Sequence, residues 1–294
     1  MPDWQDIAAR IAAATGEPFA LRPPQHVGGG CINRAVRLGD GRRDYFVKLN
    51  DASQLAMFEA EAAGLAALAA TATLRVPRPL CTGVSAGEAF LAMEYIPLGG
   101  RPGADGKAAA GRLLATLHRA SAPAFGWERD NTIGSTPQPN APEPDWVVFW
   151  RERRLGHQLR LAAASGYRGR VQERGARLLE GFGALIDHAP RPSLLHGDLW
   201  GGNLGFDAAG RPVIFDPAVY YGDREADLAM TELFGGFGSD FYAAYREAWP
   251  LAPGYAVRKT LYNLYHILNH LNLFGGGYLA QAEGMIERLL AEIG

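Results

Sequence analysis

The spacing of apolar and polar residues divides the chain into a strand-rich first third and a mainly helical remainder. In the first third, segments with apolar residues at helical spacing alternate with period-two runs bounded by glycine and aspartate. The pattern predicts a helix over 3–15 capped by Asp3, a glycine-tipped hairpin over 19–49, a helix over 53–70, and strands over 79–84 and 88–96. Together these elements predict a small β-rich unit.

A proline- and glycine-rich stretch, 97–103, separates this unit from a second one in which helical spacing dominates. The predicted helices span about 105–120, 143–164, 170–188, 223–233, 239–248, 255–274 and 276–293. A short β island between 193 and 216 interrupts them. The sequence therefore predicts an α+β chain with two lobes, residues 1–96 and 97–294, and a ligand site in the cleft between the lobes.

The composition is that of an ordinary folded protein, with 294 residues, 48% of them hydrophobic and 20% charged, and a net charge of −2. This balance lacks the electrostatic footprint of a nucleic-acid binder. Two cysteines are too few for a disulfide framework, and neither a signal peptide nor a membrane-spanning run is visible, so we expect a cytoplasmic protein without a membrane partner. Only three of the 29 basic residues are lysines, so a lysine within an apolar strand requires an explanation.

The sharpest chemical signal is an acid followed five residues later by an amide, with a second acid after an apolar strand. Asp198 and Asn203 lie in the segment 196–203, HGDLWGGN, and Asp216 follows the apolar residues 213–215. Phosphoryl transfer needs a carboxylate that accepts a hydroxyl proton and hard oxygen ligands for Mg²⁺. The spacing matches the D-x-x-x-x-N pattern of kinase catalytic loops. Either acid alone would suit an ordinary turn, but the combination favours a kinase.

The first third carries the residues expected of the other half of an ATP site. Lys48 lies in the predicted strand 45–49, where an ammonium group needs an anionic partner. In kinases such a lysine contacts the phosphates and pairs with a glutamate of the next helix. Glu59 and Glu61 are both candidates, and we choose Glu61 because it shares a helical face with apolar residues four and seven positions later. A lysine at the surface edge of the sheet is the alternative interpretation.

Two further segments complete the predicted nucleotide site, the glycines of the hairpin tip and the last residues before the proline- and glycine-rich stretch. They comprise Gly28, Gly29 and Gly30, and Met93, Glu94, Tyr95 and Ile96. Glycine lets backbone N–H groups approach phosphate oxygens closely, and a strand that leads into a linker can offer backbone groups to adenine. An ordinary glycine turn and a plain buried strand are the alternatives.

Seven motifs, in chain order, carry a resemblance to a known family. They are GGGCIN (28–33), FVK (46–48), FEAE (58–61), MEY (93–95), LHR (117–119), HGDLWGGN (196–203) and DPAVYYGDREADLAM (216–230). In this order they resemble the fructosamine/ketosamine-3-kinase family, which shares a protein-kinase-like fold with aminoglycoside phosphotransferases and choline kinases. The similarity runs over nearly the whole chain. It implies a bilobal fold with a small β-rich N-lobe and a larger, mainly helical C-lobe.

The resemblance also implies a reaction, the phosphorylation by ATP and Mg²⁺ of the 3-hydroxyl of a ketosamine. A ketosamine is the fructosamine or ribulosamine adduct that remains when a sugar glycates an amine or a protein. Its phosphorylated form is unstable, so the family's activity amounts to deglycation and protein repair. The expected partners are therefore ketosamine small molecules or glycated proteins, and we expect a monomer or a homodimer.

Individual roles follow from the resemblance as well. Asp198 would orient and deprotonate the acceptor hydroxyl, while Asn203 and Asp216 would bind Mg²⁺. Lys48 and Glu61 would position the phosphates of ATP. The remaining assignments are structural support from His196 and Asp227, substrate contacts from Trp200 and Asp223, and a redox-sensitive thiol at Cys31. A packing role for Trp200 and an inert, buried thiol at Cys31 are the alternatives.

Two other functions remain open at this level: a small-molecule kinase of the aminoglycoside, choline or homoserine type, and a nucleotide-binding pseudokinase that serves as a scaffold. The pseudokinase is disfavoured because the expected lysine, glutamate, asparagine and both aspartates are present.

His266 and His270 have a metal-compatible spacing, but the apolar run around them favours packed histidines. Arg151, Arg153 and Arg154 are predicted to form a solvated helix face.

Overall fold

The computed structural model describes residues 2–28 and 32–294, and it divides into two compact units. The first unit comprises residues 1–103 together with 205–216, and the second comprises 104–204 together with 217–294. Antiparallel strands dominate the first unit and helices the second. The predicted α+β class is confirmed.

The first unit is built on a five-stranded antiparallel sheet. Its strands are β1 (Gln25–His26), β2 (Arg34–Gly39), β3 (Asp44–Asp51), β4 (Pro79–Ser85) and β5 (Glu88–Glu94), in the spatial order β1-β2-β3-β5-β4. Two helices accompany the sheet, α1 (Trp4–Thr15) and α2 (Leu55–Ala70). Helix α1 begins at its predicted cap, since the Asp3 side chain accepts hydrogen bonds from the backbone N–H groups of Gln5 and Asp6.

Strand β3 carries apolar side chains on one face of the sheet and the charged side chain of Lys48 on the other. Val47 and Leu49 point into a core that also contains Ile7 and Ile11 of α1. Because side chains alternate along a strand, Lys48 points to the opposite face of the sheet. Burial of the apolar face fixes the register of β3 and with it the direction of Lys48.

A hairpin from later in the chain completes the first unit. It consists of β9 (Leu204–Phe206) and β10 (Pro212–Ile214). The carbonyl oxygen of Phe206 accepts hydrogen bonds from the backbone N–H groups of Gly99 and Gly100, at 3.2 and 3.1 Å. These bonds tie the proline- and glycine-rich stretch to the first unit. The unit therefore ends at Gly103 rather than at residue 96, and it takes in a hairpin that the sequence had assigned to the helical lobe.

The second unit is mainly helical. Its helices are α3 (Gly106–Leu117), α4 (Trp146–Trp150), α5 (Gly156–Ala164), α6 (Arg170–Gly181), α7 (Arg224–Leu233), α8 (Ser239–Ala248), α9 (Tyr255–Phe274) and α10 (Leu279–Ile293). Short strands pair as β6 (Asn131–Ile133) with β7 (Thr136–Gln138), and as β8 (Ser193–Leu195) with β11 (Tyr220–Gly222). Strands β6, β7 and β11 lie outside the β island that the sequence predicts between 193 and 216. Within residues 2–28 and 32–294, no helix is long and apolar enough to cross a membrane.

Arg154 lies in a π-helical turn between α4 and α5 and corrects one prediction. Its side chain is fully buried, with the guanidinium 4.0 Å from the ring centre of Tyr220 and 4.6 Å from that of Phe149. It donates hydrogen bonds to the carbonyl oxygen of Pro139 and to Oδ1 of Asn140, both at 2.7 Å. The predicted solvated arginine face is therefore wrong at this position, because a planar guanidinium stacks on aromatic rings that the pattern of charges does not reveal.

Candidate active site

Lys48 is the centre of a charged cluster in the first unit. Its Nζ donates to Oε1 of Glu61 and to Oδ1 of Asp216, both at 2.6 Å. Helix α2 carries Glu61, and Asp216 follows β10, so three separate elements supply the cluster. The side chains of Lys48 and Glu61 are 8% and 11% exposed, whereas that of Asp216 is 47% exposed. Protein thus encloses the ammonium group, while the Asp216 carboxylate remains accessible to a ligand.

Burial and charge act in opposite directions on this cluster. Burial alone would lower the pKa of the Lys48 ammonium, but the negative charges of Glu61 and Asp216 outweigh burial and raise it. Burial raises the pKa of the Glu61 carboxyl against the attraction of Lys48. Lys48 is therefore a permanent positive charge at neutral pH, suited to an anionic ligand such as a phosphate.

Asp216 adopts a backbone conformation that is rare for residues with a side chain. Its φ is +57°, in the left-handed region that aspartate tolerates better than most residues. Strain of this kind collects at functional sites, where surrounding contacts hold it in place. The ion pair with Lys48 is one such contact.

The predicted adenine-binding segment lies at the end of β5. Met93 is buried, and Glu94, the last residue of the strand, accepts a hydrogen bond from Arg75 at 2.7 Å. Arg75 also donates to Oδ2 of Asp207 in the β9–β10 hairpin, at 2.7 Å. Residues 95 and 96 lie beyond the last register pair of β5. The segment is thus anchored by an arginine bridge, and its role toward adenine remains a prediction.

The glycine tip is only partly described by the structure. Gly28 is exposed, and a side chain added there would meet no atom of residues 2–27 and 32–294, so packing against these residues does not demand glycine at this position. Gly29, Gly30 and Cys31 lie outside the described residues. The phosphate-loop and redox assignments therefore stay predictions.

In the second unit, the segment 196–203 forms a loop whose conformation is held by hydrogen bonds between its own residues. The side-chain amide of Asn203 donates to the backbone oxygen of Asp198 at 2.8 Å and lies 3.3 Å from its carboxylate oxygen Oδ2. The backbone N–H of Asp198 donates to Nδ1 of His196 at 3.3 Å. Because the amide nitrogen of Asn203 is turned toward Asp198, its Oδ1 is the atom suited to a cation. The loop thus fixes a half-buried carboxylate next to a hard oxygen donor.

A buried aspartate braces this loop from helix α7. Oδ2 and Oδ1 of Asp227 accept hydrogen bonds from the backbone N–H groups of His196 and Gly197, at 2.7 and 2.8 Å. His118 lies 3.2 Å from Asp227 through Nε2 and 2.8 Å from the Tyr245 hydroxyl through Nδ1. Burial would raise the pKa of Asp227, but hydrogen bonds from His118 and from the loop outweigh it and lower the pKa. His118 and Tyr245 extend the brace, and no local pattern in the chain joins them to Asp227.

Gly197 is required by the way this loop packs. Its φ is +83°, and a Cβ atom at this position would collide with the carbonyl oxygen of Ala218. We expect Gly197→Ala to lower the free energy of unfolding by about 2–4 kcal/mol, since it combines backbone strain with a steric clash. Denaturant unfolding checks this value. Gly201→Ala is the matched control in the same loop, because a Cβ there meets nothing; equal losses in the two variants would contradict the packing argument.

The two predicted substrate contacts occupy different environments. Trp200 is 39% exposed, and its ring meets that of Phe234 edge to face at 6.1 Å. Asp223 is only 2% exposed and caps α7, with its carboxylate accepting hydrogen bonds from Tyr262 at 2.5 Å and from His188 at 2.9 Å. Trp200 is therefore accessible to a substrate as it stands, whereas Asp223 is engaged in holding the fold together. Their substrate roles remain predictions.

A group of possible metal ligands surrounds Asp223. The side-chain donor atoms of His188, Asp223 and Glu225 lie within 4.8 Å of one another. Glu225 is paired with the buried Arg258, whose Nε lies 2.7 Å from Oε2. These bonds within the protein explain why the three side chains lie close together, and no cation is needed.

His266 and His270 pack on α9, where Nδ1 of His270 lies 2.8 Å from the carbonyl oxygen of His266.

The described cysteine, Cys81, is predicted to be unreactive near neutral pH. Burial raises the pKa of its thiol to about 11, so the thiolate is scarce at pH 8 and becomes abundant only as the pH rises through about 11. We expect iodoacetamide to modify Cys81 at least about tenfold more slowly than free cysteine at pH 8, with the gap narrowing as the pH approaches 11. Mass spectrometry of timed digests measures this rate. Equally fast labelling at pH 8 would contradict the assigned burial.

Known proteins resemble this chain over nearly its whole length. The fructosamine kinase family model matches residues 3–292. A Synechocystis protein named "Probable ketoamine kinase" is 52% identical over 288 residues, or 98% of this chain and 97% of that protein. The chloroplastic protein-ribulosamine 3-kinase of Arabidopsis thaliana is 45% identical over 268 residues, or 90% of this chain and 81% of that protein.

Solved structures support the fold in the same way. A crystal structure assigned as a fructosamine-3-kinase, from Haemophilus somnus, has a TM-score of 0.89 and 30% identity and covers 98% of this chain and 97% of its own. An aminoglycoside phosphotransferase, at 16% identity, reaches a TM-score of 0.63 and covers 97% and 98% of the two chains. The second likeness concerns the fold alone. The predicted protein-kinase-like fold is confirmed.

Proposed function

Because the chain belongs to the fructosamine kinase family, we propose that it transfers the γ-phosphoryl group of ATP to the 3-hydroxyl of a ketosamine. The observation that carries this proposal is the match of the family model over residues 3–292, nearly the whole chain. The named activities of the relatives, ketoamine kinase and protein-ribulosamine 3-kinase, point to the same substrate class. Free ketosamines and glycated proteins both belong to that class.

In the proposed reaction, the 3-hydroxyl oxygen forms a bond to the γ-phosphorus while the bond from that phosphorus to the β–γ bridging oxygen breaks. ADP leaves, and the hydroxyl proton passes to the carboxylate of Asp198. The half-buried position of Asp198 and the contact of its carboxylate with Asn203 support this role, and the bond from its backbone N–H to His196 holds the loop at this residue. Asp227 acts through the loop backbone and is a positioning residue.

On the donor side, Lys48 would bind the phosphates of ATP, with Glu61 fixing its direction. The exposed carboxylate of Asp216 and the amide oxygen of Asn203 are hard donors of the kind that Mg²⁺ prefers, so both residues fit the metal that the family implies. When bound, Mg²⁺ neutralises charge on the phosphates. Use of ATP is supported by an aminoglycoside phosphotransferase of the same fold that was crystallised with ADP and hygromycin B.

A panel of acceptors tests the proposal. ADP formation is followed with a ribulosamine, a fructosamine, an aminoglycoside, choline and homoserine, each at matched concentration. We expect turnover with the ketosamines and none above background with the other acceptors. Turnover with an aminoglycoside, choline or homoserine alone would replace the proposed acceptor, and ATP binding without turnover on any acceptor would favour a scaffold.

A further inference from the structure

A continuous row of aromatic rings leads away from the catalytic loop on the second unit. We call it the aromatic row; it consists of Trp200, Phe234, His270, Phe274 and Tyr278. Successive ring centres lie 6.1 Å apart from Trp200 to Phe234, 5.0 Å from Phe234 to His270, and 5.4 and 5.2 Å from His270 to Phe274 and Tyr278. Residues from the loop, from the end of α7 and from α9 and its C-terminal turn thus form one surface.

This row is unusual because it is exposed. Trp200, Phe234 and Phe274 are 39%, 37% and 53% exposed, whereas the aromatic cluster around Trp146 and Trp150 in the same unit is buried. Large rings in one contiguous exposed patch are uncommon in soluble proteins unless they bind something. The row begins at Trp200, two residues after Asp198, so it is continuous with the catalytic loop.

His270 places a hydrogen-bond acceptor at the centre of the row. Its Nδ1 lies 2.8 Å from the carbonyl oxygen of His266, and a carbonyl only accepts, so Nδ1 carries the proton. Burial lowers the pKa of His270, which favours the neutral ring. Nε2 is then an unprotonated acceptor, and it makes no hydrogen bond to any residue between 32 and 294. At its centre, the surface therefore combines aromatic faces with a hydrogen-bond acceptor.

We propose that the aromatic row binds the carrier of the ketosamine, that is, the protonated secondary amine together with the lysine side chain and peptide to which the sugar is attached. This inference rests on the proposed function. Aromatic faces attract a cation and cover the methylene stem of a lysine, and Nε2 of His270 would accept an N–H from the ammonium group or the peptide. The polar atoms of the row are few, namely Nε2 of His270, the indole N–H of Trp200 and the hydroxyl of Tyr278, so the row favours the methylene stem and the cation of the carrier over the many hydroxyls of a sugar.

The two halves of the substrate are thereby separated. The sugar would meet Asp198 in the loop, with Trp200 at the junction, and the carrier would lie along Phe234, His270 and Phe274. The consequence is a preference for protein- or peptide-bound adducts over adducts of small amines, because only the former extend far enough to contact the row.

The test compares two ribulosamine substrates that differ only in the carrier, one on the side chain of a lysine within a short peptide and one on methylamine. Phe234→Ala/Phe274→Ala removes the two exposed phenylalanines. We expect the ratio of kcat/KM for the peptide adduct to kcat/KM for the methylamine adduct to fall about tenfold, mainly through KM, since two aromatic contacts are lost. Val148→Ala is the control, because Val148 is similarly exposed, at 36%, but lies outside the row; it should leave the ratio unchanged.

If the double variant is unstable, the single variant Phe274→Ala, which removes the most exposed ring of the row, takes its place. It should lower the same ratio of kcat/KM values about threefold. An unchanged ratio in a folded variant, with the wild type active on both substrates, would overturn the carrier assignment and leave the kinase function intact. A wild type that phosphorylates neither ribulosamine would overturn the proposed function and the carrier assignment together.

Discussion

Replacement of Asp198 by asparagine should lower kcat by about 10²–10⁴-fold, the usual contribution of a positioned proton acceptor. Asparagine has nearly the same shape, and the Asn203 amide would still reach the backbone oxygen of residue 198, since that bond does not involve the carboxylate. The loop should therefore keep its conformation while losing the only group at this position that accepts a proton. Steady-state kinetics with a saturating ketosamine measure the loss.

The affinity for ATP should be nearly unchanged in this variant, because Lys48, Glu61 and Asp216 form their cluster without Asp198. Titration of the variant with a fluorescent ATP analogue provides the comparison. A loss of nucleotide affinity as large as the loss of turnover would assign Asp198 a structural role instead.

Replacement of Lys48 by methionine should both weaken ATP binding and lower kcat, together reducing kcat/KM for ATP by at least about 10²-fold. The variant also leaves the Glu61 carboxylate buried without its cation. Removing one partner of a buried pair destabilises a fold by about 3–5 kcal/mol, while replacing both partners by apolar groups is nearly neutral. The double variant Lys48→Met/Glu61→Leu should therefore regain stability without regaining activity.

The matched control is Lys259→Met. Lys259 is likewise paired with a glutamate, Glu232, at 2.7 Å, but its side chain is 36% exposed and it lies in the second unit. Its removal should cost at most about 1 kcal/mol and leave ATP kinetics unchanged. Recovery of activity together with stability in the double variant would show that Lys48 matters only to the fold.

Much of this architecture follows from local patterns. The strand alternation that buries Val47 and Leu49 also turns Lys48 to the other face of the sheet, and the helical face that carries Leu65 and Leu68 brings Glu61 to it. Both relations depend on residues close together in sequence and on periods that a single chain displays. The same holds for the cap of α1 and for the Asp198–Asn203 spacing.

The features that local patterns do not predict depend on packing between residues that are far apart in sequence. The His118–Asp227 contact joins residues 109 positions apart, and Arg154 is buried by rings from three other segments. Asp216 follows a hairpin that joins the first unit through backbone hydrogen bonds. Such bonds do not depend on residue type, so the sequence does not reveal them. The aromatic row is also assembled from distant segments, so no local window of sequence contains it.

Identification of the product shows whether the protein phosphorylates a ketosamine at its 3-hydroxyl. The protein is incubated with ATP, Mg²⁺ and a ribulosamine, and the product is examined by phosphorus-31 NMR with coupling to the sugar protons. A parallel incubation contains the 3-deoxy analogue of the same ribulosamine. We expect a single phosphate ester at position 3 and no transfer to the 3-deoxy analogue. A phosphate at another hydroxyl, or equal transfer to the analogue, would contradict this expectation.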